Sequence, residues 1–433
     1  MPRRQQYAPL RVLLNNRLVG ELLKQPSGAI QFRYDVSWLE WENNFPISLS
    51  LPLREKPAHG EIVAAVFENL LPDSVTIRRR VAEKVGASGT DAYNLLSAIG
   101  RDCVGALQFV TEDIEEDMKN TTIDGEGVSD DEIGILLKNL KQVPLGLERE
   151  NDFRISIAGV QEKTTLLRYK EKWLKPYGPT PTTHIFKTQI GRLPNGLDLS
   201  NSIENEFYCL KLMEAFSLKV NDAQIQSFAD TKALVIKRFD RLWTQDGRLI
   251  RLPQEDFCQA LSVLPTKKYQ NDRGPGMVDI LNLLKGSDEP EKDQKILLKA
   301  QILFWLIGAT DGHAKNFSIF LKPGNRFSLT PLYDILTAQP YYDAGQIRRA
   351  HMKLAMSVGN NNYRMDEIHA LHFMQTGNRA KIPKATTGAA IDEVANQADR
   401  AMARLEDSLP DDFPENIHTS VKTALLKRLR MLH

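Results

Sequence analysis

The apolar run Ile302-Leu-Phe-Trp-Leu-Ile307 breaks off at Gly308 and gives way to the polar stretch Asp311-Gly-His-Ala-Lys-Asn316. Such a run reads as a buried helix that has to end at the glycine, so the polar residues are delivered as a loop at the edge of a core. Phe317-Ser-Ile-Phe-Leu321 then reads as a strand, Pro323 to Asn325 as a turn, and Phe327-Ser-Leu329 as a second short strand leading to Leu332-Tyr-Asp334. A hairpin between two acidic loops carries Asp311, Asn316 and Asp334 to one end of that hairpin. This is the order of groups used in phosphoryl transfer from ATP. One aspartate takes or orients a hydroxyl proton, while an asparagine and a second aspartate hold the Mg2+ that bridges the phosphates. The competing reading of Asp-x-x-x-x-Asn is a polar turn whose side chains satisfy backbone groups.

Phosphoryl transfer also requires a cradle for the phosphates and a cation on them. Ser156-Ile-Ala-Gly159 leads into Val160, Gln161 and Lys163, and a glycine there lets backbone N–H groups approach an anion. The segment lacks the second glycine of a Walker A loop, and a plain hairpin bend would look the same. Lys187 ends the short strand His184-Ile-Phe-Lys187. A lysine on a buried strand needs a partner, and either Glu204 or Glu206 on the following helix supplies a carboxylate. Helical spacing groups Glu206 with Leu210 and Met213 on the inward face, which favours Glu206.

With 433 residues the chain is too long for one ordinary core, and its 42% hydrophobic and 26% charged residues are those of a soluble globular protein. A net charge of +1 confines any contact with a polyanion to local basic patches. The three cysteines, Cys103, Cys209 and Cys258, lack metal-ligand spacing and are expected as reduced thiols. No segment approaches the length of a membrane span, so no membrane partner is expected and the cytoplasm is the expected location. Residues 1–110 read as a small N-terminal subdomain with a hairpin turning at Asn15-Asn16 and a strand over Ile47–Leu51. The ten acidic residues between Glu112 and Glu132 mark 111–145 as a solvated linker or loop. Residues 146–240 follow as a strand-rich region and 241–433 as a mainly helical one.

Taken together, these motifs resemble the HipA-type serine/threonine kinase toxins of bacterial toxin–antitoxin pairs. The resemblance runs from Val12 almost to the C-terminus. It includes Phe67-Glu-Asn-Leu-Leu-Pro-Asp-Ser74, Ile99-Gly-Arg-Asp-Cys-Val-Gly-Ala106, Ile155 to Thr164, Pro181 to Lys187, Arg238-Phe-Asp-Arg241, Gln254 to Gln259 and the Asp311 loop. It implies an α+β fold, in which a small N-terminal α/β subdomain joins a divergent bilobal kinase-like fold with an all-α C-terminal lobe. ATP and Mg2+ are the implied cofactors and a serine of glutamyl-tRNA synthetase the implied substrate.

By the same resemblance Asp311 is the catalytic aspartate, and Asn316 and Asp334 are the metal ligands. His313 is a catalytic-loop histidine, with a purely structural histidine as the alternative. Ile157, Ala158, Gly159, Val160, Gln161, Lys163 and Lys187 face the nucleotide phosphates, and Phe239 lies near adenine. Lys237 stands where an acidic hinge residue is expected, so only its backbone would bind the base. Ser156 matches the autophosphorylated serine. The implied partner is a HipB-type helix-turn-helix antitoxin dimer, with operator DNA bound through that complex and Arg379, Lys381 and Lys384 as candidate DNA contacts; the complex is nucleoid-associated. A small-molecule phosphotransferase and a catalytically silent corepressor are the rival functions.

Overall fold

Asn15 and Asn16 both adopt left-handed backbone, φ 46° and 69°, which matches the twist of the strands they join. They connect Leu10–Leu14 to Arg17–Lys24 as expected, with Leu14 opposite Arg17. A computed structural model describes residues 7–112, 118, 122–147, 155–159 and 161–432. The chain divides into two units, one of residues 1–188, 226–266 and 320–326, the other of 189–225, 267–319 and 327–433.

In the first unit, an antiparallel sheet runs in the order Ala58–His59, Ile30–Tyr34, Arg17–Lys24, Leu10–Leu14 and Leu107–Val110. The strand expected over Ile47–Leu51 is absent. Its backbone groups are taken by side chains: Tyr34 Oη accepts from the Ile47 amide at 3.0 Å and donates to the Leu51 carbonyl at 2.6 Å. A carboxylate oxygen of Glu255 accepts from the Leu49 amide at 2.8 Å. Once those groups are satisfied locally, no ladder is left to form.

A second sheet runs Ala223–Phe228, Thr231–Lys237, His184–Lys187, Lys163–Tyr169, Lys172–Pro176 and Gly125–Val128. Lys170 and Glu171, φ 47° and 62°, turn its central hairpin. The last strand and the helix Asp130–Lys138 lie inside the stretch read as linker. Three of its acidic residues start that helix: Ser129 and Glu132 cap each other's backbone, and Asp130, Asp131 and Glu132 complement the positive end of the helix, while 113–117 and 119–121 lie outside the described residues. Ile133 and Leu137 of that helix pack with Leu166, Trp173, Phe186 and Phe228 in the core against the sheet.

The first unit also encloses a cluster of charges. Asp102 accepts from Thr182 Oγ1 at 2.6 Å, Arg238 at 3.2 Å, Arg241 at 2.8 Å and Arg251 at 3.0 Å. Asp240 takes Arg238 in a fork of 3.0 and 2.8 Å, together with the Gly105 amide at 2.7 Å. Burial by itself would raise the Asp102 pKa, but the guanidinium groups of Arg241, Arg238 and Arg251 hold it well below the carboxylate range.

The second unit is built on Pro290–Ile307, the helix expected from the apolar run. Lys384–Ser408 and Glu415–Leu429 pack on it, and Ser202–Ala215 packs on Lys384–Ser408. Arg428 donates to the Leu306 carbonyl at 2.9 Å, capping the helix end with a cation. The three cysteines form no disulfide and are buried. Among the described residues no helix is long and apolar enough to cross a membrane.

Candidate active site

Gly308, φ 75°, ends the long helix, and the chain enters the Asp311 loop. Gly312 lies against the ring of Phe304 so closely that a Cβ would come within 2.4 Å of it, which is why no side chain fits between Asp311 and His313. Asp311 is exposed, and Tyr269 Oη donates to its Oδ1 at 2.7 Å, fixing the rotation of the carboxylate. His313 is buried edge-on to Tyr269, with ring centroids 4.8 Å apart and no hydrogen bond to Nδ1. Burial holds its pKa below the ordinary imidazole value, with Lys268 reinforcing the effect and Asp311 and Asp334 opposing it. The ring is therefore neutral near pH 7.

Asn316 binds the two acidic segments together: its Nδ2 donates to the Asp311 carbonyl at 3.0 Å and to the Asp334 carbonyl at 3.3 Å. With the nitrogen so engaged, the other end of the amide is an oxygen, the donor a hard divalent cation prefers. Asp334 is half-buried in left-handed backbone, φ 57°. The residues before it are pinned on both sides. Leu332 exchanges hydrogen bonds of 2.9 Å with Lys219 and Asn221, and Tyr333 Oη donates to the Lys315 carbonyl at 2.9 Å. The expected convergence of Asp311, Asn316 and Asp334 is thus present, and Tyr269, Lys268 and Tyr333 join it. Sequence reasoning gave those three no role: Lys268 and Tyr269 lie outside any motif, and Tyr333, although inside Leu332-Tyr-Asp334, gains one only when its hydroxyl meets the Lys315 carbonyl. Among the described residues no three His, Cys, Asp or Glu side chains form a metal cluster. A pair of oxygen ligands, Asn316 and Asp334, fits Mg2+, which commonly takes one or two protein oxygens and completes its shell with phosphate and water. Glu204 on Ser202–Ala215 accepts from Gln189 at 2.6 Å, and Glu206 on the same helix is buried.

In the first unit, Ile155–Ser156 pairs in parallel with Asp102–Cys103. Ser156 is fully buried, and its Oγ donates to the Leu70 carbonyl at 2.8 Å. Gly159, φ 110°, adopts a backbone that other residues rarely take. Lys163 Nζ donates to the Ala158 carbonyl at 2.5 Å, and Gln161 Nε2 to the Thr188 carbonyl at 2.7 Å. Ile157 is buried and Ala158 half-buried, while Val160 lies outside the described residues. Lys187 is directly opposite Lys163 on the neighbouring antiparallel strand, and both are buried. Phe239 is half-buried against Phe320, whereas Lys237 is exposed opposite His184. Arg379, Lys381 and Lys384 are exposed where Ala370–Arg379 meets Lys384–Ser408.

Residues 155–402 match the family model of the HipA-like C-terminal domain, and residues 10–110 that of the HipA N-terminal domain. A Sinorhizobium fredii protein named "Putative kinase Y4mE" is 35% identical over 353 residues, covering 81% of this chain and 80% of its own. The serine/threonine-protein kinase toxin HipA of Shewanella oneidensis is 25% identical over 435 residues, 97% of this chain and 94% of that protein. A solved complex of Shewanella oneidensis HipA, HipB and operator DNA matches with a TM-score of 0.79 at 23% identity, over 98% of this chain and 97% of that one. The α+β, kinase-like fold expected from the sequence is the fold of that solved structure.

Proposed function

The chain belongs to the HipA family, and from that premise we propose that it is the ATP- and Mg2+-dependent serine/threonine kinase toxin of a toxin–antitoxin pair. Its substrate in this reading is a glutamyl-tRNA synthetase, whose phosphorylation halts aminoacylation and drives the cell into dormancy and persistence. The observation that carries the proposal is Asn316, whose amide holds the segments of Asp311 and Asp334 together.

Asp311, oriented by Tyr269, accepts the proton of the attacking serine hydroxyl. The neutral His313 packs under Tyr269 and supports that orientation. Lys163, Lys187 and the amides of the Ile157–Gly159 turn receive the phosphates, and Phe239 borders the base. Asn316 and Asp334 would hold Mg2+, which supplies charge neutralisation on the phosphate oxygens.

Ser156 is the autophosphorylation site in this reading. Its hydroxyl is buried on Leu70, so the loop has to leave before phosphate can be added. A phosphate of about two negative charges cannot return to that socket, and the kinase turns itself off.

The partner is a HipB-type helix-turn-helix dimer, and the complex binds operator DNA and represses its own operon. Arg379, Lys381 and Lys384 touch DNA phosphates there. Replacing all three by alanine should lower operator affinity and flatten its salt dependence; an unchanged salt slope would exclude them. The expected location is the cytoplasm, and the nucleoid when bound to DNA.

The central test is transfer of labelled phosphate from ATP to purified glutamyl-tRNA synthetase and to the chain itself. Wild type should label both, and Asp311→Gln should lose about a hundredfold to ten-thousandfold in rate while still binding ATP. Equal labelling by the two proteins would refute the assignment.

A further inference from the structure

The segment Phe67-Glu-Asn-Leu-Leu-Pro-Asp-Ser74, which no step of the phosphoryl transfer uses, lies beneath the glycine loop. The loop meets this segment and the helix after it at three points. Ser156 Oγ donates to the Leu70 carbonyl at 2.8 Å at its start. In its middle, the Asp73 amide donates to the Gly159 carbonyl at 3.0 Å, where Pro72 and Gly159 also pair as a parallel bridge. At its end, Glu162 is ion-paired with Arg80 of the helix Val75–Val85.

The platform is itself braced. Arg78 Nε donates to the Pro72 carbonyl at 2.6 Å, and its guanidinium is paired with Glu68. Glu68 in turn accepts from the Ala92 amide at 2.9 Å. Arg80 makes a second bond, to the Lys141 carbonyl, so its guanidinium joins the loop to the end of the segment after Asp130–Lys138. Both partners are partly shielded, with Arg80 28% and Glu162 20% exposed, which places the pair between a solvated and a buried ion pair.

We propose that Arg80 and Glu162 are positioning residues that, with the Leu70–Asp73 platform, hold the glycine loop in its phosphate-receiving shape before nucleotide arrives. The inference rests on the reading that this loop receives ATP phosphates. Ordering a backbone costs conformational entropy, so a loop ordered in advance binds its anion more tightly than one ordered by it. The N-terminal family domain thereby sets nucleotide affinity without touching nucleotide.

The experiment uses the full chain, the non-hydrolysable analogue AMPPNP with MgCl2, and amide hydrogen exchange of residues 155–163 without nucleotide. Arg80→Gln and Glu162→Gln should each raise the Kd for AMPPNP about tenfold and speed exchange in the loop. Arg80→Lys should recover most of the affinity, and the double variant should be no worse than either single one. Unchanged Kd and exchange in both single variants, or additive losses in the double, would overturn the proposal. If Arg80→Gln does not fold, Glu162→Gln carries the test alone. If wild type fails to bind AMPPNP, the phosphate reading falls, and the exchange data still decide the clasp: acceleration supports it and unchanged exchange refutes it.

Discussion

Chemistry at the residue scale follows from which partner each polar group finds. Asn316 is a plain amide in the sequence, and two backbone carbonyls make it the tie between both acidic loops. Glu255 shows the opposite case. It is buried with Oε2 unpartnered, and burial pushes its carboxyl up to about 8 from the ordinary 4.5. A carboxyl raised on folding contributes stability that is fully present below pH 4.5 and is lost as pH rises through 8. Glu255→Gln keeps an acceptor for Leu49 and cannot ionise. Its Tm should exceed wild type by roughly 5 °C at alkaline pH and match it at acid pH. An equal difference at both would show that ionisation is not the cause.

At the scale of elements, most local conformations were legible. The hairpin at Asn15-Asn16, the strand His184–Lys187 and the helix ending at Gly308 each stand where short-range signals put them. The failures also have local causes. The capping box Ser129-x-x-Glu132 was present in the sequence, but the surrounding acidic charge masked it as linker. The loop over Ile47–Leu51 alternates like a strand, yet Tyr34 and Glu255, distant in sequence, take its backbone groups. The Asp311 loop keeps its shape because Gly312 lies on Phe304. Gly312→Ala forces that loop outward at about 1–3 kcal/mol of overpacking, and in the proposed role of Asp311 a displacement of its carboxylate by about 1 Å costs roughly a hundredfold in rate. We expect turnover to fall by that factor with a Tm only a few degrees lower; wild-type turnover would refute the role of the contact.

For the molecule as a whole, the buried cluster of Asp102, Asp240, Arg238, Arg241 and Arg251 makes the two matched family regions interdependent. Asp102 belongs to the N-terminal region and the arginines to the C-terminal one, and all lie in one compact unit. Asp102→Ala leaves Arg251 without its carboxylate and Arg238 and Arg241 to share Asp240, and loss of one partner from a buried pair costs about 3–5 kcal/mol. Denaturant unfolding should show a loss of at least that size; a loss below about 1 kcal/mol would mean that the cluster is solvated. The sequence by itself determined the order of chemical groups, the main turns and the helix ends, because each depends on neighbours a few positions away. Only tertiary structure decided that Ser156 is buried on Leu70, that Tyr269 orients Asp311, that Arg80 clasps Glu162 and that five buried charges pair with one another. Those outcomes rest on pairs far apart in the chain, and whether a polar group inside a protein is stable depends on the partner that folding brings to it.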